Sequence, residues 1–109
     1  MIRLKEGVTW DGLEPDIFLG LAYIYWIFRE NGLLELIVTS TKEDSKEHKV
    51  TSKHYLGQAV DIRTHGILQN TKYLILKLGR VLVKPLGYDF IIEFEGTERE
   101  HFHLEYDPK

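Results

Sequence analysis

The run His101-Phe-His-Leu-Glu-Tyr106 alternates side-chain type at every step. Side chains of an extended strand point alternately to its two faces. A strand here puts His101, His103 and Glu105 on one face and Phe102, Leu104 and Tyr106 on the other. The second set requires a core to cover it, so it marks the inner face. Ala59-Val-Asp-Ile-Arg63 divides in the same way, with Asp61 and Arg63 pointing away from Val60 and Ile62. Whatever else the chain does, it must build a sheet with one greasy face and one face carrying histidines and acids.

The elements that cover the greasy face are legible on either side. Pro15 between Glu14 and Asp16 suits a first helical turn, since proline has no amide to leave unpaired there and acids favour the positive end of the helix dipole. Ile17, Leu21, Ile24, Tyr25 and Phe28 recur at helical spacing, and Asn31-Gly32 is a stop. Leu33 to Thr39 reads as a strand, and residues 40 to 53 as a polar, highly charged loop. Ile67 to Lys84 predicts a second helix with Leu68, Leu74, Ile75, Leu78, Val81 and Leu82 as its apolar set, ended by Pro85 and Gly87. Tyr88 to Glu95 and His101 to Tyr106 flank Gly96-Thr-Glu-Arg99, a hairpin signal. The order predicts one α+β domain over residues 1–109, a small, mainly antiparallel sheet with two helices on one face.

Composition removes several functions. With no cysteine, disulfides, thiolate metal sites and cysteine nucleophiles are excluded, and any metal must be held by nitrogen and oxygen. The formal charge of -3 supplies no basic field, so no nucleic-acid partner is expected. The apolar run from Ile17 to Phe28 is short for a membrane span, so no membrane insertion is expected, and the chain reads as a monomer.

The polar face carries the chemistry. His54 and Asp61 together with an imidazole from the segment Glu100-His-Phe-His103 would give a divalent transition metal three protein ligands and one open position. That is the pattern of a catalytic zinc rather than a structural one. The bland alternative is a solvated polar face, with Asp61 paired to Arg63. Ser52 can hydrogen-bond a ligand or support His54, or simply cap a loop. Among the other candidates, His48 lies in the charged loop and His65 at the entry to the second helix, while Tyr55 can line a groove or pack. Trp10 and Trp26 read as core or edge aromatics.

Ser52-x-His54-x-x-Gly57-x-Ala59-x-Asp61, followed by Glu100-x-x-His103, resembles the zinc D-alanyl-D-alanine metallopeptidase superfamily. That group includes D-Ala-D-Ala carboxypeptidases, vancomycin-resistance dipeptidases and phage L-alanyl-D-glutamate endopeptidases. The first motif also resembles the zinc-site stretch of the hedgehog signalling domain, which shares the fold. The resemblance covers residues 33 to 106 and implies a hedgehog/D-Ala-D-Ala peptidase-like fold. It implies Zn2+ on His54, Asp61 and His103, Glu100 as general base, His101 holding the water or oxyanion, and a peptidoglycan peptide as substrate. Met1 to Gly7 lacks the apolar core of a secretory signal, so a phage-encoded or cytoplasmic product reaching the cell wall by another route is expected.

Two departures qualify the implication. The family's arginine after an upstream Thr-Ser pair is replaced here by Thr41-Lys42-Glu43, which leaves Lys42 and Arg63 as candidates to bind a substrate carboxylate. Strict alternation also places Glu100 and His103 on opposite faces, so Glu100 reaches the site only from a bulge or turn, and Glu98 meets the same difficulty. A non-catalytic zinc-binding module of the same fold, in a binding or phage-structural role, is the alternative.

Overall fold

The computed structural model of the chain describes residues 1–42, 54 and 56–108. The elements run β1 (Ile2–Leu4), α1 (Pro15–Glu30), β2 (Leu36–Ser40), β3 (Ala59–Arg63), α2 (Gln69–Val83), a short 3-10 turn (Lys84–Leu86), β4 (Tyr88–Glu93) and β5 (His101–Tyr106). They form a two-helix α+β domain with a mixed five-stranded sheet in the order β1-β2-β3-β5-β4.

The sheet is antiparallel except at one edge, where β1 pairs parallel to β2, Ile2 opposite Leu36 and Leu4 opposite Val38. Strand β1 is absent from the sequence expectation, since three residues are too few to show a period. A parallel pair needs a long crossover, and α1 supplies it. Strand β2 also starts at Leu36 instead of Leu33. The Leu33 amide donates to the Phe28 carbonyl at 2.9 Å and the Gly32 amide to Arg29 at 3.0 Å, with Gly32 at φ +82. This left-handed cap consumes Leu33 in closing α1.

Val60 and Ile62 of β3 lie opposite Leu104 and Phe102 of β5, which in turn face Phe90 and Ile92 of β4. Ile17, Leu21, Ile24 and Phe28 of α1 complete the buried cluster from above. The Phe102 ring meets Phe90 at 5.0 Å and Phe28 at 6.2 Å between centroids.

Helix α2 corrects the expected apolar set. Ile75, Gly79 and Val83 are its buried positions, whereas Leu68, Leu74, Leu78 and Val81 are 77, 45, 42 and 71% exposed. The cause is Gly79: a Cβ there would lie 2.6 Å from the Phe90 ring, so the missing side chain lets the backbone itself meet the sheet. Contact on the glycine stripe turns the leucines outward.

Candidate metal centre

With Val60, Ile62, Phe102 and Leu104 facing the helices, the other face collects the polar residues in rows. Asp61 stands opposite His103, with Ile91 beyond it. In the next row Arg63 stands opposite His101, with Glu93 beyond, and on the other side Ala59, Glu105 and Asp89 form a third. Strand β2 meets β3 with Ser40 opposite Asp61 after an irregularity between Val38 and Ser40. Such a break bends a strand end and re-aims the side chains beyond it.

His54 reaches this face from the turn before β3. The Gly57 amide donates to the His54 carbonyl at 3.1 Å, and the Glu14 amide donates to the Gly57 carbonyl at 2.8 Å. Gly57 adopts φ +71, and a Cβ there would lie 2.2 Å from the Gly12 carbonyl oxygen. The glycine of the motif is therefore demanded twice, by conformation and by close approach. His54 Nδ1 lies 2.9 Å from the Thr41 carbonyl oxygen, to which it donates, and the Thr41 hydroxyl donates to the Thr9 carbonyl at 2.7 Å.

Asp61 is the centre of the cluster. Its Oδ1 is 2.8 Å from His103 Nδ1, 3.3 Å from His54 Nε2 and 3.5 Å from His101 Nε2. The far nitrogen of His103, Nε2, meets Glu105 Oε1 at 2.8 Å. Burial alone would raise the Asp61 carboxyl, but hydrogen bonds from His103 and His54 outweigh it and hold the group far below the ordinary carboxylate range. Burial likewise opposes charge on His103, yet its bond to Asp61 and the nearby acids push it up to about 9. His54 is also raised: its burial is overcome by Asp61.

His54, Asp61 and His103 are all buried and offer donor atoms within 4.8 Å of one another, so they could hold a metal ion. Metal-binding histidines usually donate their outer N–H to a carbonyl or carboxylate, which fixes the tautomer and turns the other nitrogen to the metal. Thr41 does this for His54 and Glu105 does it for His103.

The expected site residues do not all come together. His54, Asp61, His103 and His101 come together, and Arg63 stands opposite His101 on the same face. Lys42 lies over Gly12, where a Cβ would be 2.6 Å from its Cδ. Ser52, with His48 and Tyr55, falls outside the described residues. Glu100 is turned to the α2 side, where its carboxylate accepts from the Thr64 hydroxyl at 2.6 Å, Lys72 Nζ at 2.7 Å and the Gly96 amide at 2.9 Å. These bonds, from Gly96 first and then Lys72 and Thr64, hold its carboxyl at about 2. The structure thus does not bring the expected general base to the cluster. Glu98 is exposed at the hairpin tip, and His65 is exposed in a turn.

Sequence reasoning misses Glu93. Its Oε1 is 3.0 Å from His101 Nε2 and 3.5 Å from His103 Nδ1. The hairpin register that sets Glu93 beside His101 is the signal that finds it.

Among the described residues no helix is long and apolar enough to cross a membrane. No family model matches the chain, and neither a curated protein nor a solved structure matches it.

Proposed function

We propose that the chain is a zinc-dependent peptidase of the D-alanyl-D-alanine metallopeptidase kind, with a hedgehog/D-Ala-D-Ala peptidase-like fold, acting on peptidoglycan stem peptides. The observation that carries the reading is the buried His54–Asp61–His103 set, in which both imidazoles have their outer nitrogens tied back, to Thr41 and Glu105. Two imidazoles and one carboxylate suit zinc. A bound zinc would polarise a carbonyl and acidify a water, the two requirements of amide hydrolysis. The substrate class rests on the resemblance of the His54–Asp61 and Glu100–His103 motifs.

The chain's own residues divide the remaining work. Thr41 and Glu105 orient the two imidazoles before any ligand arrives. His101, at the edge of the cluster, is the further imidazole available to hold a water or an oxyanion. Arg63 and Lys42 are the cations offered to a substrate carboxylate, and Arg63, standing opposite His101, is the better placed. Glu100 anchors the β4–β5 hairpin to α2 in this arrangement, and it would act as base only after leaving Lys72.

That engagement of Glu100 is the specific observation favouring a second reading, a zinc-binding module of the same fold without catalysis. Zinc content of the wild type and His54→Ala, followed by incubation of the zinc-loaded protein with peptidoglycan fragments, separates the two. About one zinc lost in His54→Ala, with fragments cleaved, supports the peptidase. Zinc bound without cleavage supports the module. No zinc in either protein overturns both.

A further inference from the structure

The cluster contains more ligating groups than one ion uses, and the surplus is arranged as a second set. We infer that Asp61, His101 and Glu93 hold a second divalent cation, with the Asp61 carboxylate shared between the two positions. The inference rests on the metal-centre reading only through that shared residue.

The first support is spacing. Asp61, Glu93 and His101 present donor atoms within 4.8 Å of one another. His101 Nε2 is 3.0 Å from Glu93 Oε1 and 3.5 Å from Asp61 Oδ1. Ligand atoms about 2.0–2.1 Å from a zinc at tetrahedral angles lie roughly 3.3 Å apart, so a cation enters this triangle with small movements.

The second support is the tautomer. His101 Nδ1 lies 2.8 Å from the Arg99 carbonyl oxygen, to which it donates. This is the device that orients His54 through Thr41, and it turns Nε2 toward the two acids. The hairpin tip holds the ring in place: Phe94 packs on it at 5.9 Å, and the Arg99 guanidinium lies 4.2 Å over Phe94.

Charge permits the second ion. Asp61, Glu93 and Glu105 are three carboxylates in direct contact with the imidazoles. With neutral imidazoles the three carboxylates carry −3, so one divalent ion leaves −1 and two leave +1, and two ions come as close to neutrality as one.

The two positions differ in access. The side chains of His54, Asp61 and His103 are 3, 9 and 10% exposed, against 18% for His101 and 37% for Glu93. The second ion therefore sits at the open side and exchanges faster. Its two carboxylates and one imidazole make a harder ligand set, suited to manganese as well as zinc.

Equilibrium dialysis against excess Zn2+, with elemental analysis and calorimetric titration, tests the inference on wild type, Glu93→Gln, His101→Gln and His54→Ala, each checked for fold by circular dichroism. Two equivalents in the wild type, the weaker lost in both Glu93→Gln and His101→Gln while the tighter is retained, is the expected result. One equivalent in the wild type under excess zinc, absent in His54→Ala, overturns the second position and leaves the first standing. Two equivalents unchanged by both substitutions place the second ion elsewhere and also overturn it. No zinc in the wild type overturns the metal centre and this inference together.

Discussion

Asp61 and Glu100 are equally withdrawn from solvent, with 9% of each side chain exposed, yet they face donors of different kinds. Asp61 is ringed by imidazoles, whose protons a metal ion can displace. Glu100 is held by an ammonium, a hydroxyl and a backbone amide, which keep their protons at any pH a protein experiences below the lysine range. Both carboxyls are strongly acidic as a result. Acidity alone therefore does not mark a functional carboxylate. What separates an exchangeable site from a structural clamp is whether the surrounding donors can leave.

The largest effect should come from removing the centre of the first group. Asp61→Asn leaves three clustered imidazoles without their carboxylate and should abolish zinc binding. By the usual cost of breaking a buried pair it should destabilise the metal-free fold by about 3–5 kcal/mol in urea unfolding. Retention of full zinc content would erase the contrast with Glu100. Chelation of the zinc-loaded wild type comes next. At a thousand-fold excess over Kd, bound metal adds about 4 kcal/mol, so chelator should lower the melting temperature by on the order of ten degrees or more. An unchanged melting curve would put the metal outside the folded site.

Glu100→Gln should cost less, roughly 2 kcal/mol, the scale of hydrogen bonds to a charged group, and should leave zinc content intact. Its pH dependence sharpens the point. The Glu100 carboxyl falls from an ordinary 4.5 to about 2 on folding, so its contribution is fully present above pH 4.5 and is lost as pH falls toward 2. The stability difference between wild type and Glu100→Gln should shrink across that window in denaturant titrations, and a constant difference would deny the clamp. Smallest of all is Lys42→Ala. With its stem over Gly12, it should change zinc affinity by a few tenths of a kcal/mol at most, as for an ordinary surface substitution. A tenfold loss by competition titration would place Lys42 beside the metal itself.

The division of faces is legible in the sequence because it depends only on alternation in Ala59–Arg63 and His101–Tyr106, and strands obey that geometry closely. Gly57 is legible for a similar reason, since a tight backbone demands it. Strand β1 is not, having three residues and a partner thirty-four positions away, Ile2 with Leu36. The buried stripe of α2 escapes because hydrophobicity points to Leu74, Leu78 and Val81, while the packing surface is set by the absence of a side chain at Gly79. Alternation does place Glu100 opposite His103, but the identity of its partner, Lys72 on another element, is not a local property. Glu93 needs the hairpin register before it can be joined to His101.

The hydrogen-bond line from Thr9 through Thr41 to His54 has a consequence for how the protein matures. His103 adds a further distant stretch of chain, so the segment from His54 to Asp61 contains two of the three ligands and no short contiguous segment contains all of them. Contacts of such sequence separation form late and cooperatively. Metal capture should then be a terminal event in folding, available to the finished domain and not to fragments. A nascent or proteolysed chain would carry the same histidines and still fail to sequester the ion.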